Sequence, residues 1–248
     1  MMAKSLFFCP SGQNNLLRTL SDSDRALVSP HLERVPLKKG MFLEEANKPF
    51  DMIYFPVSGV GSTVAFSKGG RRIEVGLFGR EGMSGSAIVL QGKQSSNETF
   101  MQVEGEGLAM AAEEMSELME QSPTLQRHLL RYMQTILTQT SQTALSNGQA
   151  KLEERLARWL LMCHDRMNSD ELHLTHDFLS IMLGVRRAGV TVGTHILEGR
   201  GMIRAKRGRI TILDREGLEA EAKESYGIPE SEYVRLIGFD QPSQTDRN

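Results

Sequence analysis

The chain predicts an α+β fold with three parts: an N-terminal β-roll, a long helix, and a C-terminal winged helix-turn-helix. Three observations carry this reading. The first half alternates short apolar runs with glycine-rich turns, a long helical stripe follows Pro123, and residues 174–203 read as two short helices around a glycine. A basic run, Arg204, Lys206, Arg207 and Arg209, follows at once.

The β-part is read from runs at 52–57, 61–66, 73–78, 87–90 and 99–103, with turns such as Lys68-Gly69-Gly70 between them. Several strands at this spacing form a barrel or roll. From Ala112 the period becomes helical, and after Pro123 the residues Leu125, Leu129, Met133, Ile136 and Thr140 mark one stripe. Such a helix either lies on its own domain or pairs with a second copy. Twofold homo-oligomers are common, so pairing is the expectation and these five are the expected dimerisation residues. Leu152, Leu156, Trp159, Leu160 and Cys163 then make an amphipathic helix that opens the C-terminal part. The resulting division is 1–122 for a sensor roll, 123–150 for the dimerisation helix, 151–220 for the winged helix, and 221–248 for an acidic, solvent-facing extension.

Within the helix-turn-helix, Thr175 is suited to N-cap a helix, Asp177 places negative charge in its first turn, and Leu174 with Leu179 has hydrophobic-staple spacing. Gly184 supplies the turn. In the second helix Val190, Thr194 and Leu197 face inward, which leaves Arg187, Ala188, Thr191 and Val192 outward. Arg186 and Arg187 suit guanine edges or phosphates, and Thr191 and Val192 suit a thymine methyl group. Gly189 and Gly193 each cost roughly 1 kcal/mol in a helix interior, so packing must hold this helix. Residues 203–205 and 210–213 alternate as strands around Arg207-Gly208 and form the wing.

Charge supports a nucleic-acid partner only once it is resolved along the chain. The 29 Lys plus Arg and 31 Asp plus Glu give a net charge of -2. Residues 151–215, however, carry 12 bases against 8 acids, and residues 216–248 carry 3 against 8. From Gly199 to Ile210 there are five bases and no acid, as phosphate contact requires. An ordinary helical hairpin with solvated arginines would not need that clustering.

Other classes fit less well. Two cysteines, Cys9 and Cys163, cannot build a disulfide framework or an all-cysteine cluster, and they suit a reducing cytoplasm. No apolar run is long enough for a membrane span, and the start lacks a signal-peptide pattern. Cys163, His164, His173 and His176 match no common zinc spacing. A cupin-type metalloenzyme would need several histidines in the β-half, which offers only His31. Gly59 and Gly61 lack a phosphate-loop lysine. With no nucleophile and base pair visible, the expectation is a non-enzyme without metal or cofactor.

Three segments, LKKGMFLEEANKPFDMIYFPVSGVGSTV, VGLFGREGMSG and the run from LEERLARWLL through LEGRGMI, resemble the Crp/Fnr superfamily of bacterial transcription regulators. The resemblance implies a cyclic-nucleotide-binding-like jelly roll, a dimerising helix and a winged helix acting on double-stranded DNA as a homodimer, with RNA polymerase as a further partner. It implies base contacts at Arg187, Ala188, Thr191 and Val192, to which the reading of the residues adds Arg186, and the expected backbone contacts are Thr175, His176, Arg204, Lys206, Arg207 and Arg209. Ala188 and Val192 depart from the best-known members, which carry a glutamate and an arginine there, so the operator should differ. An effector pocket is implied around Glu81, Gly82, Met83, Ser84, Thr140 and Ser141. The segment matching the phosphate cassette, SSNETFMQVEG, has no arginine near Asn97, Glu98 and Thr99, and Glu98 would repel a phosphate. Binding of cyclic AMP in the usual way is therefore not expected, and the effector is unknown. Thr140 and Ser141 either touch an effector or permit close helix approach. The iron-sulfur sensing route needs more N-terminal cysteines than Cys9. The rival reading is a β-roll module that binds a ligand or protein, with the winged helix contacting protein or RNA.

Overall fold

The computed structural model describes residues 12–238, so Cys9 and the last part of the acidic extension lie outside the described residues. Two short helices, α1 (Asn15–Arg18) and α2 (Asp22–Val28), precede the roll. Its strands are β1 (Glu33–Leu37), β2 (Phe42–Glu44), β3 (Met52–Pro56), β4 (Val60–Phe66), β5 (Arg72–Phe78), β6 (Glu98–Val103) and β7 (Gly105–Ala111). They pair antiparallel as two sheets, β1-β7-β3 and β2-β6-β4-β5. Leu37, Leu43, Phe78 and Met101 pack together as a core within the roll. The run at 87–90, expected as a strand, is instead the helical turn α3 (Ser86–Val89), entered through the left-handed Gly85.

Helix α4 (Ala112–Gln121) is followed by α5 (Pro123–Gln149), 27 residues long and N-capped by Ser122, whose hydroxyl accepts from the Leu125 N–H. Then come α6 (Leu152–Arg166), β8 (Glu171–Leu172), α7 (His176–Met182), α8 (Arg187–Gly199), β9 (Ile203–Lys206), β10 (Arg209–Ile212), α9 (Arg215–Ala222) and α10 (Ile228–Ile237).

Two expectations about α5 and the tail are corrected. Leu125, Leu129 and Met133 are buried in this chain's own core with Ile53, Phe55 and Met110, so they are not presented to a second copy. Ile136 and Thr140 are half-buried and line a cavity in the same chain. The apolar stripe packs on the roll, which removes its apolar area from water. The C-terminal extension is not wholly solvent-facing either: α10 packs along α5 with Tyr233 and Ile237 in the core. The Tyr233 hydroxyl donates to the Glu81 carbonyl at 2.8 Å.

Helix α6 is enclosed rather than amphipathic, with nearly every residue from Leu156 to Arg166 buried. One side packs on Leu172, Leu179, Val190 and Leu197 of the winged helix, and the other on Val60, Val64 and Leu77 of the roll. The roll side is polar at its centre. Register shifts between Thr63 and Val64, so β5 carries Val75 as an extra residue, and this bulge turns Glu74 and Leu77 to the same face. Trp159 Nε1 donates to Glu74 at 2.7 Å, and Ser62 Oγ lies 2.7 Å from the other carboxylate oxygen and 2.6 Å from Gln102 Oε1. A hydroxyl has one proton, so a protonated Glu74 donating to Ser62, with Ser62 donating to Gln102, satisfies every atom. Burial raises the Glu74 carboxyl to about 7, against the lowering effect of the Ser62 and Trp159 hydrogen bonds. Close by, Arg166 and Glu81 form a buried ion pair at 2.7 Å across the same junction.

Candidate nucleic-acid interface

The first helix of the motif starts where the sequence marks it. Thr175 Oγ1 accepts from the Phe178 N–H at 3.2 Å, and Leu174 and Leu179 are both buried. Gly184 takes φ +62°, so the turn needs glycine for its conformation, and it lies against the end of the Ile73 side chain of β5.

Helix α8 then lies across α6. Val190, Thr194 and Leu197 are fully buried. A Cβ on Gly189 would meet the end of the Leu152 side chain at 3.1 Å, so α8 lies close to the start of α6 at this helix-weakening residue. Arg186, Arg187, Ala188 and Val192 are exposed, and Thr191 is half-buried. Arg187 is held by Asp177 (Nε–Oδ1 3.1 Å), but both side chains are mostly in water, so the pair contributes little and is replaceable by a ligand. Thr191 Oγ1 lies 3.0 Å from His176 Nδ1 and 3.2 Å from the Arg187 carbonyl. Burial, then the Arg187 charge, lowers the His176 pKa, which favours a neutral ring that orients Thr191.

The wing is the three-stranded sheet β8-β10-β9, in which Arg209 pairs with Lys206 across the Arg207-Gly208 turn. Arg204, Lys206 and Arg207 are exposed and make no ion pair among the described residues, whereas Arg209 reaches Glu171 at 3.3 Å. The site therefore combines one exposed helix face with a basic hairpin beside it, with Asp177 and Glu171 as acids paired to Arg187 and Arg209.

The residues expected around an effector pocket separate. Met83, Ser84 and Thr140 line a cavity of about 220 Å³ between the roll and α5. Glu81 does not reach it, because it is committed to Arg166. Gly82 sits under the Tyr132 hydroxyl, and Ser141 is exposed, one residue round the helix from Thr140, with its hydroxyl donating to the Leu137 carbonyl. Glu44, which sequence reasoning did not single out, does line the cavity, as do Thr63 and Thr99. Its signal was an acid inside the run GMFLEE, where an apolar strand residue is the norm. Glu98 is paired with Arg72 on the solvent side, and among the described residues no Lys or Arg lines the cavity. The other candidates have structural partners: His164 Nε2 lies 2.6 Å from Asp170, and Cys163 receives a hydrogen bond from Gln102. No helix among the described residues is long and apolar enough to cross a membrane.

This architecture defines a class, the winged helix-turn-helix proteins with a β-roll joined through a long helix. Residues 154–221 match the model of the Crp-like helix-turn-helix domain, and most of the chain shares its fold with solved structures of Crp/Fnr-family transcriptional regulators. A protein of Eubacterium rectale described as a Crp/Fnr-family transcriptional regulator superposes with a TM-score of 0.67 at 22% identity, covering 84% of this chain and 97% of that one. FixK2 of Bradyrhizobium japonicum gives 0.65 at 15% identity, over 77% of this chain and 98% of its own. A Crp/Fnr-family regulator from Thermus thermophilus gives 0.64 at 21%, over 78% and 100%. Among curated proteins, none matches by sequence.

Proposed function

We propose that the chain is a sequence-specific DNA-binding transcription regulator, not an enzyme, that acts in the cytoplasm as a homodimer and whose roll receives an effector other than a cyclic nucleotide. The carrying observation is the pairing of the exposed face of α8 with the unpaired wing bases Arg204, Lys206 and Arg207. In this reading α8 enters the major groove, Arg186 and Arg187 meet base edges, Thr191 and Val192 meet methyl groups, and the wing with Thr175 and His176 tracks phosphates. RNA polymerase is the partner a regulator of this fold would address.

Since Leu125, Leu129 and Met133 are occupied in their own core, the second copy is assigned to the opposite face of α5. Leu130, Gln134, Leu137, Ser141, Ala144 and Gly148 recur there at intervals of four and three, the spacing of a coiled-coil seam. All six are exposed, Leu130 at 44% and Leu137 at 66%. Large residues at one end and small ones at the other allow the two helices to converge. Light scattering on the purified chain, combined with titration of a twofold duplex at several salt concentrations, tests the reading. A dimer whose affinity falls steeply with salt supports it, and a monomer indifferent to DNA in dilute buffer overturns it.

A further inference from the structure

The cavity beneath α5 has the wrong charge for a cyclic phosphate and a different ligand chemistry built in. Glu44 is 4% exposed. One of its carboxylate oxygens accepts from the Gly85 N–H at 2.8 Å, and the Thr99 hydroxyl bonds the group as well. These are neutral donors. Among the described residues no cationic side chain lines the cavity or offsets the carboxylate, which burial disfavours as a charge. A buried carboxylate without a counter-charge is costly, and a carboxylate has acceptor capacity beyond two hydrogen bonds. An anionic ligand would add repulsion at close range in a medium of low dielectric.

Size points the same way. An apolar cavity of about 150 Å³ holds one benzene, so the 220 Å³ here takes roughly nine non-hydrogen atoms, under half of a purine nucleotide. Val75, Leu77, Met83 and Ile136 give the wall an apolar part, and its polar part apart from Glu44, including Thr63, Ser84 and Thr140, carries no formal charge. Tyr132, Ile136 and Thr140 belong to α5, so an occupant touches the helix that carries the proposed seam.

We propose that this cavity binds a small organic monoamine, its ammonium paired with Glu44 and its apolar body against Val75, Met83 and Ile136. The inference rests on the effector reading of the roll and names the ligand class. Calorimetric titration of the full-length chain without DNA tests it, using phenethylamine, benzoate as an anion with the same number of non-hydrogen atoms, and cyclic AMP. Phenethylamine is expected to bind saturably and the two anions not to. Glu44→Gln keeps the shape of the side chain and removes its charge, and it should weaken phenethylamine binding by about tenfold or more. The wild-type comparison of amine and acid stands even if the variant misfolds. Preference for either anion, equal binding of phenethylamine by the variant, or no heat from phenethylamine at millimolar concentration would each overturn the proposal. DNA binding is measured separately, so failure of the ligand and failure of the regulator reading remain distinct.

Discussion

Glu74→Gln is the most informative single change at the junction between the roll and the winged helix. The wild-type carboxyl is buried among Ser62, Trp159 and Leu77, and burial lifts it from 4.5 to about 7. A carboxyl with a raised folded pKa binds its proton more tightly in the folded state than in the unfolded one. Its contribution is therefore most favourable below about pH 4.5, declines as pH rises, and is lost above about pH 7. Holding a proton across that interval is worth about 3 kcal/mol. Glutamine reproduces the neutral form, since its oxygen can accept from Trp159 and its amide can donate to Ser62. Urea unfolding followed by the fluorescence of the single tryptophan, Trp159, reads the junction directly. Wild-type stability should fall by about 1–3 kcal/mol between pH 5 and pH 8 relative to the variant, allowing for relaxation around the charge. Identical pH dependences for the two proteins would refute the placement of a neutral Glu74 at this contact.

Other outcomes follow from the same geometry. Leu137→Asp puts a charge in the proposed seam of α5 and should yield a monomer by light scattering, with twofold-site DNA affinity reduced at least tenfold; an intact dimer would move the interface elsewhere. Arg187→Ala should cost ~1–3 kcal/mol of discrimination at one position of the DNA site, whereas Arg207→Ala should weaken all duplexes about equally, and equal losses for both on specific and random DNA would contradict these roles. Tyr233→Phe removes the hydroxyl bonded to the Glu81 carbonyl and should lower stability by about 1–2 kcal/mol in urea; no change would mean that α10 does not bear on the roll.

Much of the fold was legible because local signals agreed with one another. Thr175, Gly184 and the inward set Val190, Thr194 and Leu197 each point to the same helix-turn-helix, and the structure places them as cap, turn and core. What the sequence hid has identifiable causes. Strand β7, GEGLAMA, is masked by two glycines, and β1 by Pro36. The stripe on α5 specified a buried face but not whose, and burial within one chain gives the same period as burial between two. The acid excess of the tail concealed α10, in which Glu230 accepts from the Gly227 N–H and Tyr233 faces the core. Glu74 was unreadable because the bulge at Val75 breaks the alternation that assigns faces. The cavity needed the structure altogether, since Glu44, Thr99 and Thr140 come from three distant parts of the chain.

The central claim is that two copies present α8 and the wing to one duplex. Selection from random-sequence DNA with the purified chain, followed by titration of the enriched site against salt, tests it most directly. The account predicts a twofold-symmetric site with half-sites about one helical turn apart. It also predicts two chains bound per duplex and a slope of log affinity on log salt of about −5, from Arg204, Lys206 and Arg207 in each copy. An unenriched pool, or an enriched site without symmetry bound by a single chain, would contradict it.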